Sequence, residues 1–205
     1  MRSGPNEVAT DVLRPILSQL QLGRGCRKII YVAVPVTSGR RLWKIAAERH
    51  LSDISRVRKA FPKEFQNLVL RTNYRDAARL ATRVRKRYPG NVVINPSLVS
   101  VRTWSQEQYR RAWKIFISRY AKIVVASTGW PFSYGCVDEV THALDQGIPV
   151  FDAAGEPISA AKAYRAIARA LAASIRKGLE IPFLARFLKK LEKKINEGDS
   201  KCVEY

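Results

Sequence analysis

Apolar strand-like runs, polar loops and amphipathic segments follow one another in a repeating order along the chain. The clearest case begins with residues 123–126, an apolar and β-branched run typical of a strand buried on both faces. After a polar loop, apolar side chains recur at i, i+3, i+4 and i+7, which predicts a helix that Gly147 ends (Val137, Val140, Thr141 and Leu144). Residues 148–151 then read as another strand. This order predicts a βαβ unit of a parallel sheet.

The same alternation predicts four parallel strands, at 28–34, 91–95, 122–126 and 148–151. The predicted helices cover 40–50, 73–88, 106–120, 159–177 and 182–197. Residues 51–72 lack a clear period and read as a basic insertion. We therefore expect a single α/β domain over 1–205 with its core at about 26–177. Its fold class is a doubly wound, mostly parallel sheet, a flavodoxin- or Rossmann-like three-layer sandwich with extra C-terminal helices.

Composition excludes several classes of protein. The 205 residues are 46% hydrophobic, which is too high for a disordered chain. No apolar run has the length of a membrane span, and the N-terminus lacks the pattern of a signal peptide. The three cysteines are widely spaced, which indicates neither a disulfide framework nor a zinc site. We expect a cytoplasmic protein with no membrane partner.

Positive charge is the least ordinary property of the sequence. There are 37 Lys and Arg against 17 Asp and Glu, a net charge of +20. Such a surface attracts polyanions, although a general solubility effect without a specific partner is the alternative. The excess is concentrated between Arg40 and Tyr88, where few aromatic residues are interleaved. This pattern favours contact of the basic helices with a nucleic-acid backbone over a base-stacking platform.

Candidate site residues follow from the predicted sheet, because ligands of parallel sheets bind at the carboxyl ends of the strands. Glu139 falls in the first helical turn after the third strand, where the helix dipole favours a carboxylate and is expected to keep it ionised. That suits a nucleophile or an electrostatic stabiliser, although Glu139 could simply complement the dipole. Its neighbours in the loop and first turn are candidates with it (Ser127, Thr128, Trp130, Ser133, Gly135 and Asp138).

Within this loop, Gly135 permits close approach of a backbone N–H to a ligand, and Ser133 offers a hydroxyl to a phosphate or sugar. Trp130 reads equally as the wall of a base pocket and as core. Cys136 stands at a helix start, where thiolates are stabilised, but no histidine is placed to serve it, so a buried structural cysteine is favoured. The sequence contains no metal-ligand spacing and no glycine-rich nucleotide motif.

The turn after the first strand is a second candidate. Ser38 is a plausible N-cap for a helix that begins at about Arg40. Arg40 and Arg41 oppose the dipole of that helix, which is explained if they face a phosphate. Two solvated arginines are the alternative.

Several of these motifs resemble the nucleoside 2-deoxyribosyltransferase-like superfamily, which includes 2′-deoxynucleoside 5′-phosphate N-hydrolases, CMP hydrolases and small phage and bacterial proteins. The resemblance rests on S-x-G-x-x-x-E at residues 133–139, on Gly129-Trp130 before it and on the segment at 147–150 after it. The segments at 30–40 and 92–96 are also similar to the first two strands of members. Together the similar segments cover roughly residues 28–46 and 73–151.

The resemblance implies specific roles. Glu139 would attack the anomeric carbon and form a glycosyl-enzyme intermediate. Ser133 and Gly135 would hold the 5′-phosphate or sugar, with the turn at 38–40 at the phosphate (Ser38, Gly39 and Arg40). Tyr31 would line the sugar–base pocket, and the remaining wall candidates are Trp130, Asn95 and Lys114. No metal or cofactor is needed, and members usually form dimers or larger homo-oligomers.

One position departs from the family. Lys114 stands where members usually carry an aspartate that orients the glutamate, and it could instead pair with Glu139 or bind phosphate.

Three functions are thus open. The first is an N-glycosidase or (deoxy)ribosyltransferase acting on a nucleoside or nucleotide-like substrate. The second is a catalytically degenerate nucleotide- or nucleic-acid-binding module on the same fold, which the charge and the missing aspartate favour. The third is NAD-glycohydrolase chemistry, which only fold analogy supports.

Overall fold

The protein is built around a four-stranded parallel sheet. The computed structural model describes residues 13–18 and 28–199. Its strands run in the order β2-β1-β3-β4 and are all parallel. Their bounds are β1 (Ile29–Ala33), β2 (Val92–Ile94), β3 (Ala121–Ala126) and β4 (Val150–Asp152). The four predicted strands and the α/β fold class are confirmed, with strand ends that differ by one or two residues.

The predicted helices are also confirmed. They are α1 (Arg40–Glu48), α2 (Arg71–Arg87), α3 (Gln106–Tyr120), α4 (Tyr134–Asp145), α5 (Ala160–Arg176) and α6 (Pro182–Asp199). Residues 13–18 are helical as well. The Ser105 hydroxyl caps α3 in a reciprocal arrangement with Gln108. Among the described residues, no helix is both long and apolar enough to cross a bilayer.

Residues 51–72, which the sequence left unclassified, are largely helical. Short turns at Ile54–Arg56, Val57–Ala60 and Pro62–Glu64 lead into a widened, π-type segment at Phe65–Leu70. This segment runs directly into α2, so the predicted helix start at residue 73 is too late. Only Phe65 and Val69 of this segment are buried, and the apolar Leu68 is exposed. The apolar pattern that identified α2 is therefore weaker upstream of residue 71.

Alternate side chains of β1 enter two separate cores, which defines the three layers. Ile30, Val32 and Val34 pack against α2 on one face. Tyr31 and Ala33 face the larger core, to which α3, α4, α5 and α6 contribute. The strand β2 pairs with one side of β1 and β3 pairs with the other side. The direction in which successive strands are added therefore reverses at β1, which makes it the topological switch point. Ligands of such sheets bind at the carboxyl ends of the strands at this switch point.

Candidate active site

Glu139 lies at this switch point, in the second turn of α4 and not in the first turn as predicted, and its two carboxylate oxygens have different surroundings. The side chain is only 8% exposed. Oε1 accepts a 2.8 Å hydrogen bond from the Tyr31 hydroxyl. Oε2 is buried and has no hydrogen-bond partner among the described residues. Glu139 lines a cavity of about 210 Å³. One oxygen is therefore held by a hydrogen bond, and the other is buried without a partner.

The expectation that the helix dipole keeps Glu139 ionised is wrong. The pKa of Glu139 is raised from the ordinary value of 4.5 to about 8, chiefly by burial and to a smaller extent by the negative charge of Asp138. The hydrogen bond from Tyr31 lowers this pKa but only partly offsets the burial. Desolvation outweighs the dipole because the carboxylate is removed from water on nearly all sides. At neutral pH the side chain is therefore mostly protonated.

Tyr31 is fully buried behind Glu139 and is absent from the cavity wall. Its ring packs 5.5 Å from Trp113 and 6.4 Å from Phe116, measured between ring centroids. Burial, followed by the charge of Glu139, raises the pKa of Tyr31 well above its ordinary value. The phenol thus stays protonated and donates to Glu139. The prediction that Tyr31 lines the sugar–base pocket is corrected to a role behind the carboxylate.

Ser38 and Ser133 join the two loops at the switch point. The Ser38 hydroxyl donates a 2.8 Å hydrogen bond to Ser133 Oγ, and both residues line the cavity with Glu139. Ser133 caps α4 by accepting from the Cys136 N–H at 3.5 Å. The prediction that Ser38 caps α1 is wrong. The N-cap is Gly39, with φ 104°, and no side chain caps that helix because the Ser38 hydroxyl points across to Ser133.

Asn73 holds this turn in place and was missed by the sequence analysis. Its Nδ2 donates to the backbone carbonyls of Val36 at 2.9 Å and Ser38 at 2.8 Å. Its Oδ1 accepts from the Arg41 guanidinium at 3.1 Å. The side chain is 5% exposed. An available signal was that Asn73 precedes Ala77 by four residues, so a polar amide occupies the buried stripe of α2.

Arg110 is the second residue that sequence reasoning missed. Of the described residues that line the cavity, Arg110 is the only basic one. The Arg110 guanidinium also lies 4.6 Å from the centre of the Tyr134 ring. Nothing in the sequence distinguishes it from the other basic residues of α3. Gly135 lines the same cavity, and a Cβ placed there would meet no atom within 4 Å.

Gly39 and Arg40, expected at the substrate phosphate, lie outside this cavity. Both line a larger groove of about 820 Å³ on the other side of β1, together with Ser127 and Thr128. The Arg40 guanidinium lies 4.6 Å from the centre of the Phe132 ring. The residues predicted to bind the phosphate are thus divided between two cavities: Ser38 lines the Glu139 cavity, and Arg40 lines the larger groove.

The remaining wall candidates are also placed elsewhere. Trp130 is 5% exposed and belongs to the core. The Asn95 side chain is buried and accepts from the backbone N–H and hydroxyl of Ser97. Lys114 pairs with Asp138 at 3.3 Å in a separate surface cleft. None of the three is among the residues that line the Glu139 cavity.

Cys136 lines the cavity, but its chemistry does not suit a nucleophile. Its side chain is 1% exposed, and burial raises the pKa of the thiol well above its ordinary value. A neutral thiol is a poor nucleophile, which agrees with the expected structural role. Within residues 13–18 and 28–199, no group of three or more His, Cys, Asp or Glu side chains could hold a metal ion.

Comparisons of the chain with known protein families, curated proteins and solved structures give no match.

Proposed function

We propose that this protein cleaves the N-glycosidic bond of a nucleoside or nucleotide, with Glu139 as the nucleophile. One observation carries the proposal: Oε1 of Glu139 is held by Tyr31, while Oε2 is buried and unpaired in a residue that lines a cavity. A buried polar atom without a partner is costly unless a ligand contacts it. The S-x-G-x-x-x-E spacing of Ser133, Gly135 and Glu139 supports the same chemistry.

The reaction would proceed in two displacements at C1′ of the sugar. Ionised Glu139 attacks C1′ through Oε2, the C1′–N bond breaks, and the base leaves with the bonding electron pair and takes up a proton. Water, or a second base, then adds to C1′ and releases the carboxylate. When water is the acceptor it loses one proton, so the net reaction is hydrolysis. With a second base it is transfer.

The raised pKa of Glu139 is compatible with this role. The transition state of glycoside cleavage carries positive charge on the sugar. A positive charge next to a carboxylate lowers its pKa, so the ionised form is favoured most where the reaction needs it. The Tyr31 hydrogen bond acts in the same direction, since it also stabilises the ionised form.

The size and charge of the cavity favour a mononucleotide over a dinucleotide. A volume of about 210 Å³ is below the roughly 300–1,000 Å³ of typical drug-binding pockets. This space suits one sugar and one base, which argues against NAD as the substrate. Arg110 is the cation of the wall and would attract an anionic group such as a 5′-phosphate, with the Ser38 and Ser133 hydroxyls as further partners.

The decisive experiment is a chromatographic assay of free base released from ribo- and deoxyribonucleosides and their 5′-monophosphates. Glu139→Gln should abolish release, because an amide cannot act as the nucleophile. Asp138→Asn is the matched control: it removes the neighbouring carboxylate, which pairs with Lys114 outside the cavity, and should retain activity. Absence of base release from every substrate, or equal activity of Glu139→Gln and the wild type, would overturn the proposal.

Exposed apolar side chains beside the cavity support the homo-oligomer that the resemblance implies. Tyr74 lines the cavity and is 43% exposed, and Leu98 lies between two further lining residues and is 70% exposed. Covering them with a second copy would bury apolar surface. Light scattering should give a dimer or larger species, and Leu98→Lys should shift it towards the monomer. A monomeric wild type at high concentration would contradict this.

A further inference from the structure

The groove of about 820 Å³ on the other side of β1 plays no part in the proposed glycosidase chemistry. It lies between the start of α1, the helix α2 and the loop after β3. Its floor includes Ala77 and Leu80, which belong to the core on the α2 face of the sheet. The Glu139 cavity lies on the opposite face. Both cavities therefore open at the same end of the sheet but on different sides of it.

Arginine is the dominant side chain of this groove. Asp76 is the single carboxylate among the lining residues. Five arginines line the groove with it: Arg40, Arg41, Arg75, Arg79 and Arg83. Asp76 pairs with Arg41 at 2.6 Å and lies 3.9 Å from Arg79. In the described part of the chain, Arg40, Arg75 and Arg83 have no carboxylate within ion-pair distance. The groove thus carries a positive charge that the protein does not neutralise.

The spacing of the arginines fits a linear polyanion. Arg75, Arg79 and Arg83 follow one another at intervals of four residues on α2, so they lie on one face of the helix. With a rise of about 1.5 Å per residue, they span about 12 Å along the helix axis. A single phosphate could contact only one or two of them. A chain with regularly repeated negative charges could contact all three.

The opposite wall supplies hydrogen-bond donors. Ser127 Oγ is buried without a partner, and the exposed Thr128 adds a second hydroxyl. The first turn of α1 has neither a side-chain cap nor an acidic residue, so its free N–H groups remain available at Gly39 and Arg40. No aromatic side chain is among the lining residues, which argues against base stacking. Donors that contact phosphate in this way position a nucleic acid without reading its sequence.

We propose that this groove binds the phosphodiester backbone of a nucleic-acid strand, independently of base sequence. All five arginines are exposed, so an extended strand can reach each of them. The forked guanidinium is well suited to phosphate oxygens. The site does not depend on Glu139, so the proposal stands or falls separately from the glycosidase.

The test is the salt dependence of binding of labelled single-stranded DNA, duplex DNA and RNA of mixed sequence to the full chain. A triple substitution, Arg40→Gln with Arg75→Gln and Arg83→Gln, removes the three arginines without ion pairs. It should reduce the slope of log K against log salt by about 2 for a single strand and about 3 for a duplex. Glu139→Gln should bind as the wild type does.

The matched control removes three exposed arginines from α5 instead: Arg165→Gln, Arg169→Gln and Arg176→Gln. It has the same net charge, and its slope should equal that of the wild type. Thr128→Glu places a carboxylate in the groove without altering a helix and should weaken binding at least tenfold.

If both triple variants lowered the slope of log K against log salt equally, the binding would depend only on the net charge of the protein, and the proposal would be overturned. Displacement by polyglutamate as effective as by nucleic acid would assign the groove to an acidic protein instead. Absence of salt-dependent binding would exclude a backbone site.

Discussion

The Tyr31 hydroxyl donates a 2.8 Å hydrogen bond to Oε1 of Glu139, which lies 108 positions later in the chain. The bond joins β1 to α4 across the switch point of the sheet. It fixes the rotation of the carboxyl group and leaves Oε2 without a partner in a residue that lines the cavity. It also counteracts part of the rise in the pKa of Glu139 that burial causes. Tyr31 therefore sets both the direction and the ionisation of the proposed nucleophile.

The first prediction concerns the pH dependence of base release. If ionised Glu139 attacks, kcat/KM of the wild type should rise with pH and level off above the pKa of about 8. Tyr31→Phe removes the hydrogen bond that lowers this pKa, so the rising limb should move to higher pH. Activity lost at neutral pH should then be partly regained in alkali. A fall in kcat/KM above about pH 8 would instead assign Glu139 as a general acid.

A second prediction links the same carboxyl group to stability. The folded pKa of about 8 lies above the ordinary value of 4.5. Between these values the unfolded chain has lost the proton and the folded chain has kept it, so stability falls as pH rises. At about 1.4 kcal/mol per pKa unit, the loss accumulates to roughly 5 kcal/mol and is complete above about pH 8. Below about pH 4.5 the carboxyl group is protonated in both the folded and the unfolded chain, so this loss of stability is absent.

Glu139→Gln tests this relation, because glutamine does not titrate. Urea unfolding at several pH values should show the variant gaining stability relative to the wild type from about pH 5 to pH 8. Any constant penalty of the buried amide cancels in this comparison. Parallel curves for the two proteins over that range would contradict the raised pKa.

The sheet and most helices were predictable because their signals are local. Runs of apolar residues and the 3.6-residue period depend only on neighbours in sequence, and buried faces enforce them. In the structure the side chains of Ser105 and Ser159 cap α3 and α5, within one residue of the predicted starts. The segment at Phe65–Leu70 was not predicted because only Phe65 and Val69 are buried and the apolar Leu68 is exposed, which leaves a weak apolar pattern.

The site was only partly predictable because its composition depends on contacts between distant segments. Glu139 was identified from its place after a parallel strand, but its ionisation depends on burial, which the sequence does not give. Arg40 and Ser38 are two positions apart, yet the turn at Gly39 directs them to different cavities. Asn73 reaches that turn from α2, 35 positions after Ser38. No local pattern encodes such a contact.

The two glycines of the predicted site should respond in opposite ways to alanine. Gly135 lies in the first turn of α4 with open space at its Cβ position. Gly135→Ala should therefore leave stability unchanged or raise it, by up to about 1 kcal/mol. An increase in KM without loss of stability would show that a ligand approaches this backbone closely. An unchanged KM would remove Gly135 from the site.

Gly39→Ala should instead unfold more easily. Gly39 has φ 104°, and an added Cβ would lie 3.0 Å from the Pro35 side chain. The backbone conformation alone costs a non-glycine residue about 1–3 kcal/mol. Gly129→Ala is the control, since Gly129 has φ −97° and open space around it. Equal melting temperatures of the two variants would contradict the strain at Gly39.

The last prediction concerns Asn73, which we infer positions Ser38 without contacting a ligand in the Glu139 cavity. Asn73→Ala leaves the carbonyls of Val36 and Ser38 without their donor. Each unsatisfied buried group costs about 1–3 kcal/mol, so a clear loss of stability is expected in urea unfolding. Because the freed turn no longer holds the Ser38 hydroxyl against Ser133, KM for a 5′-monophosphate should rise more than KM for the matching nucleoside. Asn67→Ala, at an exposed helical position, is the control and should change neither quantity. An Asn73→Ala protein with reduced stability but equal KM changes for both substrates would assign Asn73 to the fold alone.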